Sequence, residues 1–308
     1  MSINFDFGDL EAFLAVSEKG SFQLAAEKLN ISQSAVTRRI QKLESSLKVK
    51  LFVRTTRSLK LTQEAKSFRA RAQTMLDSAS EAILALRDES SQFEFQRNAI
   101  ITIAAIPTSI HDILPKAIKV FHQQGYQARI NVLDHFANDV AESVSQGEAD
   151  FGISFMGTKE PSLEFENILE DHFVLAVHQD HPLNQRTKLH WKDLRGLPVI
   201  APWKGTGNRL LIDNELAKTQ QSLEWLYQAH HSSTSLGFVE ASIAVAVLPE
   251  SAIPKRQDSV IISKPLTEPV ITRTIGTVRK TNHSMSPMAE QFYRILVDIF
   301  NQKPKKNQ

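Results

Sequence analysis

The sequence predicts an α/β protein in three parts: an N-terminal winged helix-turn-helix, a long linking helix, and a larger domain that alternates strands and helices. Three observations predict it. Before residue 45, apolar residues recur at helical spacing in three short segments, and two β-prone runs follow. From Thr62 to about Ser91 there is no proline or glycine, and one apolar stripe persists. Beyond residue 99, unbroken apolar runs alternate with helical patterns, as in sheets covered on both faces.

The first helix is predicted from Leu10, Phe13, Leu14 and Ser17 and ends near Gly20. Ser21 is placed to cap the second, whose apolar positions are Phe22, Ala25, Ala26 and Leu29. After the break Asn30-Ile31-Ser32, Val36, Ile40 and Leu43 define a third helix capped by Ser32. Leu51-Phe52-Val53 and Leu59-Lys60-Leu61, separated by Arg54-Thr55-Thr56-Arg57-Ser58, read as a hairpin that completes a module over 1–61.

The far side of the third helix carries Gln33, Ser34, Thr37, Arg38 and Gln41, a polar row with no core to join. A helix fits the major groove of B-DNA, where each base pair shows a distinct donor and acceptor pattern. Ser32, Gln33, Ser34, Thr37 and Arg38 are therefore candidates for contact with double-stranded DNA. Arg54 and Arg57 suit phosphates or a narrow minor groove, adding affinity more than specificity. Net charge is only +2, yet Arg38, Arg39, Lys42, Lys48, Lys50, Arg54, Arg57 and Lys60 cluster against the single acid Glu44. A merely solvated helix face is the alternative, and turn, caps and wing together outweigh it.

Between 62 and 91, Ala65, Phe68, Ala72, Met75, Ala79, Ala82 and Leu86 alternate steps of three and four, a heptad seam. Such a helix reaches about 45 Å, more than one small domain can cover, so a second copy is the expected partner. Packing on its own domain is the other reading. The pattern fades over 92–98, where a hinge is expected, and residues 303–308 read as a disordered tail.

In the remaining 99–302, strands are expected at Ile100 to Ala105, Ala128 to Leu133, Phe151 to Ile153, Phe173 to Val177, Val199-Ile200 and Ile243 to Leu248, with a helix from His111 to Gln124. In open parallel sheets, ligands sit beyond the carboxyl ends of strands, where helix starts present amides. Pro107-Thr108-Ser109 and Lys204-Gly205-Thr206-Gly207-Asn208 are two such places, each able to hold a small organic anion, although a hydroxyl there is also a simple N-cap.

No cysteine is present, which excludes disulfides and thiolate metal sites and fits a reducing compartment. The N-terminus lacks a signal pattern, and no stretch of about 18 apolar residues spans a membrane, so a cytoplasmic location without a membrane partner is expected. His178 and His181 lack the third ligand a metal needs; no metal or cofactor is expected. His111, His230 and His231 could face an effector, but exposed histidines are commoner than ligands. No catalytic elbow, phosphate loop or dinucleotide fingerprint occurs, so an enzyme is not expected. An effector-independent DNA binder, or an α/β small-molecule binder or enzyme with a DNA-like appendage, remains the alternative.

The stretch FLAVSEKGSFQLAAEKLNISQSAVTRRIQKLESSLKVKLFVRTTRSLKLT resembles the DNA-binding domain of the LysR-type transcriptional regulators, from Phe13 through Ser32-Gln33-Ser34, Arg38, Leu43-Glu44 and Arg54 to Leu61-Thr62. ILEDHFVLAVHQDHPL, WKDLRGLPVIAPWKGTG and SMSPMAEQF are similar to the effector domain of the same bacterial family. The resemblance implies a transcriptional regulator that binds an interrupted inverted repeat beside a promoter, pairs through the linker helix, and is usually a tetramer of two dimers. It also implies a two-lobed, periplasmic-binding-protein-like domain with a small-molecule effector in the cleft. Lobe I would comprise 99–167 and 265–302 and lobe II 168–264, with crossings near Asn167-Ile168 and Lys264-Thr267. Thr108, Ser109, Ser154, Phe155, Met156 and Thr206 match the family's cleft positions, with Asp134 to Phe136 nearby. The family often has glycine where Ser242, Ala244 and Ala104 stand and proline at Gln127. Without glycine at Ser242 and Ala244, a shifted or more helical turn is expected there.

Overall fold

The computed structural model describes residues 4–54, 59–84, 99–155, 160–256, 258–281 and 284–301. Arg57, Met156, the 92–98 hinge, the end of the linker helix at 85–91 and the 303–308 tail lie outside the described residues.

Helices α1 (Phe7–Lys19), α2 (Phe22–Leu29) and α3 (Gln33–Leu47) start and stop where side chains demand it. Asp6 and Asp9 form a capping box on α1, and the Ser21 and Ser32 hydroxyls accept the Leu24 and Ala35 amides. Gly20, Asn30 and Lys48 close the three helices in the left-handed conformation. Strands β1 (Phe52–Arg54) and β2 (Leu59–Leu61) pair antiparallel as the wing, Phe52 opposite Leu61. Phe13 joins the parts, its ring 5.7 Å from Phe52 and 5.5 Å from Phe68.

Phe68 belongs to α4 (Gln63–Leu84), and here the heptad reading needs correction. Ala65 and Ala72 are wholly buried in the winged module's own core, with Phe68 packed against it. The first two heptads thus serve the domain beside them, because small alanines let α4 approach α1 closely. Exposed apolar surface begins later, at Met75 (43% exposed) and Ile83 (53%).

The larger domain holds β3 (Ile100–Ala105), α5 (Pro107–Asp112), α6 (Leu114–Gln123), β4 (Arg129–Asp134), α7 (Ala137–Gln146), β5 (Phe151–Phe155) and the 16-residue β6 (Leu163–His178). It continues with β7 (Leu189–His190), β8 (Val199–Pro202), α8 (Gly207–Lys218), β9 (Tyr227–Ala229), α9 (Ser232–Glu240) and β10 (Val245–Pro249). Strands β11 (Ile261–Thr267) and β12 (Thr272–Lys280) and helix α10 (Pro287–Asn301) complete it. The expected single helix from His111 is two, α5 beginning already at Pro107 and α6 carrying Pro115 in its first turn, where a missing N–H costs nothing.

The sheet is mixed rather than purely parallel. β3 pairs parallel with β4 and β5, and β8 with β9 and β10, while β12 and β10 run antiparallel to β6. β6 is shared: Leu163 to His172 pair with β12, whereas Phe173 to His178 pair with β10 and β11. The chain therefore passes from lobe I to lobe II between His172 and Phe173 and returns over residues 268–271. The crossings expected near Asn167-Ile168 and Lys264-Thr267 fall four to five residues early, since a continuous strand gives no break in hydrophobic pattern where its partners change. Separate cores back each half, around Phe121, Phe151 and Phe292 in lobe I and around Trp191 and Ile212 in lobe II.

Candidate functional site

On α3 the inward residues Val36, Ile40 and Leu43 are buried, and Gln33, Ser34, Arg38 and Gln41 stand exposed opposite them. Thr37 is half-buried, its hydroxyl donating to the Gln33 carbonyl at 2.9 Å. Ser32 caps the helix and shares a 3.0 Å hydrogen bond with Ser34. Glu44 turns the other way and fixes the wing. Its Oε1 accepts the Leu51 and Phe52 amides at 2.9 and 3.4 Å, and Lys50 pairs with Oε2 at 2.7 Å. Those donors hold its carboxyl below the ordinary range against the upward pull of burial. The basic cluster is partly consumed, for Lys42 pairs with Asp6 and Asp9. Arg38, Lys48 and Lys60 remain exposed. Arg54 ends β1, and its side chain lies outside the described residues.

Between the lobes lies a cavity of about 380 Å³. Lobe I contributes the β3–α5 turn with Thr108, the start of α7 with Phe136, and Phe155 at the end of β5. Lobe II contributes the β8–α8 turn from Trp203 to Asn208 and the start of α9 with His230 and His231. Thr206 caps α8, its hydroxyl donating to the Trp203 carbonyl at 2.8 Å and accepting from Arg209 N at 3.4 Å. Glycine at 207 lets the Phe155 ring come close across the cleft, because a Cβ there would stand 2.7 Å from it and push the ring aside.

Sequence reasoning missed the floor. Arg273 on β12 sits directly opposite Asp171 on β6, and both are buried. The guanidinium donates to Asp171 Oδ2 at 2.7 and 3.0 Å, to Thr108 Oγ1 at 2.9 Å, to Asn208 Oδ1 at 3.0 Å and to Ser251 Oγ at 3.3 Å. Thr108 belongs to lobe I and Asn208 to lobe II, so one cation ties the lobes together. Burial lowers its pKa and the Asp171 carboxylate opposes that pull. An arginine between threonines in TRTIG offers no signal of this in sequence; only the strand register brings Asp171 to it.

Of the expected cleft residues, Thr108, Phe155 and Thr206 line the cavity, together with Phe136. Ser109 and Ser154 are buried and are not among the lining residues, and their hydroxyls have no partner among the described residues. The turn at Ser242 also corrects an expectation. It keeps the left-handed conformation without glycine, with φ 56°, because the Ser242, Ile243 and Ala244 amides all bond back to carbonyls of α9. His181 accepts the Leu183 amide at 3.2 Å as a cap, and His178 accepts that of Asp180 at 3.3 Å.

A groove-sized helix face on a winged module, joined by a long helix to a two-lobed cleft, defines a DNA-binding protein with a sensor domain. The chain belongs to the LysR family of transcriptional regulators. Residues 7–66 match the bacterial regulatory helix-turn-helix protein, lysR family, and residues 96–301 match the LysR substrate binding domain. An uncharacterized HTH-type transcriptional regulator of Escherichia coli (strain K12), YbhD, is 37% identical over 295 residues, covering 96% of this chain and 92% of the relative. Full-length OxyR from Pseudomonas aeruginosa shares the fold with a TM-score of 0.71 at 20% identity, over 97% of this chain and 98% of that one. The effector binding domain of QuiR, in complex with shikimate, aligns with 66% of this chain and 98% of its own at a TM-score of 0.60 and 18% identity. The protein is thus a transcriptional regulator with an effector-binding domain, and the family's members are not enzymes. No described helix is long and apolar enough to cross a membrane.

Proposed function

We propose that the chain acts in the cytoplasm as an effector-responsive regulator that reads promoter DNA through α3 and senses a small carboxylate in the interlobe cleft. The observation that carries this reading is the polar row of exposed Gln33, Ser34 and Arg38, with half-buried Thr37 among them, on a helix whose opposite face is spent on the core. Those four residues, with Ser32 at the helix start, meet base edges and nearby phosphates, while Arg54 and Arg57 of the wing meet the backbone. The division of labour is a reader over 1–61, a linker helix over 62–91, a hinge over 92–98 and a sensor over 99–302. Two linker helices pair through the exposed half of α4, and two such dimers form a tetramer.

In the cleft, Thr108, Phe155 and Thr206 contact the effector, and Ser109 and Ser154, whose hydroxyls are spare, adjoin two of them in the chain. The shikimate held by QuiR, itself a carboxylate, supports an organic anion here. Effector binding acts only through its preference for one lobe arrangement, which shifts the spacing of the paired wings on DNA. The test is a gel shift against DNA upstream of the protein's own coding region. Thr37→Ala and Arg38→Ala should each lower specific binding roughly tenfold with helix content unchanged. Operator affinity equal to the parent's in both variants would overturn the reading.

A further inference from the structure

The cleft has two chemically different ends. Its floor is polar and electrically closed, since Asp171 neutralises Arg273. Its mouth is aromatic. His230 stacks on Trp203 with ring centroids 4.6 Å apart and planes 20° from parallel, while Phe136, from the opposite lobe, stacks on His231 at 5.4 Å. Despite these contacts Trp203 stays 45% and Phe136 39% exposed, and neither belongs to a hydrophobic core of the domain. The exposed part of these rings, left in water inside a concave site, contributes no burial to the fold; a ligand that covers it recovers that energy.

Charge at the mouth favours an anion. Helices α7 and α9 open on the cavity with Phe136 and His231 as N-caps, and neither makes a side-chain capping bond. Their first amides have no acceptor within the helix, and the dipoles add positive potential. Lys204 lines the same cavity; the one acidic residue among the lining residues, Asp139, lies in the first turn of α7 and offsets its dipole, which leaves the start of α9 the more positive of the two.

We propose that the effector is a planar aromatic carboxylate, its ring against Trp203 and Phe136 and its carboxylate at the amides that begin α7 and α9. This rests on the cleft being the effector site. A cavity of about 380 Å³ suits such a molecule. Ring stacking, beyond mere area burial, favours a flat arene over a puckered ring of equal size by roughly two- to tenfold in affinity.

The test titrates the full-length protein with benzoate, 2-naphthoate, cyclohexanecarboxylate, shikimate and benzamide, reading tryptophan fluorescence and thermal shift. Benzoate and 2-naphthoate should bind severalfold tighter than cyclohexanecarboxylate and quench fluorescence, with neutral benzamide weaker. In Trp203→Leu, whose site is exposed enough to spare the fold, the quench should vanish and the arene preference should shrink toward the part that Phe136 still supplies. Parity of benzoate with cyclohexanecarboxylate, or with benzamide, overturns the aromatic-carboxylate proposal. If shikimate or cyclohexanecarboxylate binds in that case, the cleft reading stands; if no carboxylate binds, both fall.

Discussion

Ser242 shows how a single residue can carry a cost that the fold accepts. An L-residue held at φ 56° loses roughly 1 kcal/mol against glycine, which visits that region freely. Ser242 is exposed, so no packing is lost by removing its side chain, and the greater freedom of glycine in the unfolded chain offsets only part of the gain. Ser242→Gly should therefore raise stability by about 0.5–1 kcal/mol, read as a higher midpoint in thermal unfolding of the lobe II signal. A lower midpoint would mean that the serine hydroxyl makes a contribution the backbone geometry does not reveal. Asp150 carries a cost of another kind. Its carboxylate accepts the Thr102 amide at 2.7 Å, but desolvation pushes its pKa up to about 6, with Asp77 of α4 adding repulsion. The folded state thus holds a proton that the unfolded chain releases near pH 4. The stability this represents is complete below that pH and is lost as pH rises through 6. Asp150→Asn keeps an acceptor for Thr102 and removes the charge. Its advantage over the parent should be near zero at pH 4 and grow to about 2 kcal/mol by pH 7.5, measured by chemical denaturation across that range.

Among elements, α4 divides its labour along its length. Ala65, Phe68 and Ala72 are used within the winged module, so substituting them would damage the fold before it touched association. Met75 and Ile83 are eight residues apart on the exposed half, a spacing that places them about two turns apart on one broad face. A Met75→Lys/Ile83→Glu double variant should keep its helix content and fold as the parent does. Its sedimentation should shift toward the monomer at micromolar concentration, and an unchanged mass would remove α4 from the proposed dimer contact. The elements themselves were largely legible in the sequence because caps and periodicity are local. Ser21 and Ser32 start their helices by accepting amides three residues on, and β3 spans the expected Ile100 to Ala105. The division of α4 was not legible, because an a/d stripe looks the same whether a neighbouring domain or a second helix covers it. Nor were the crossings, since β6 continues unbroken while its partners change.

At the scale of the whole molecule, the cleft's lining could be read in part from turns after strands, yet its floor depends on a contact between residues 102 positions apart. Asp171 and Arg273 meet only because β6 and β12 pair in register where the chain crosses between lobes. A buried ion pair of this kind adds little net stability compared with well-packed apolar residues, but removing one member strands the other without water. Asp171→Asn and Arg273→Met should each cost about 3–5 kcal/mol of sensor-domain stability. The double variant should cost clearly less than their sum, with a coupling of roughly 2 kcal/mol or more. Additive losses would mean that the pair is not an energetic unit. If it is one, its value to the protein lies in geometry rather than stability. Thr108 and Asn208 hang from the same guanidinium, one from each lobe, so the cation ties together the two lobes whose arrangement the proposed mechanism has an effector shift. The double variant should therefore still bind operator DNA in a gel shift, while its affinity no longer changes when a cleft ligand is added. Retained ligand response in that variant would place the coupling between cleft and wings elsewhere than at the crossing strands.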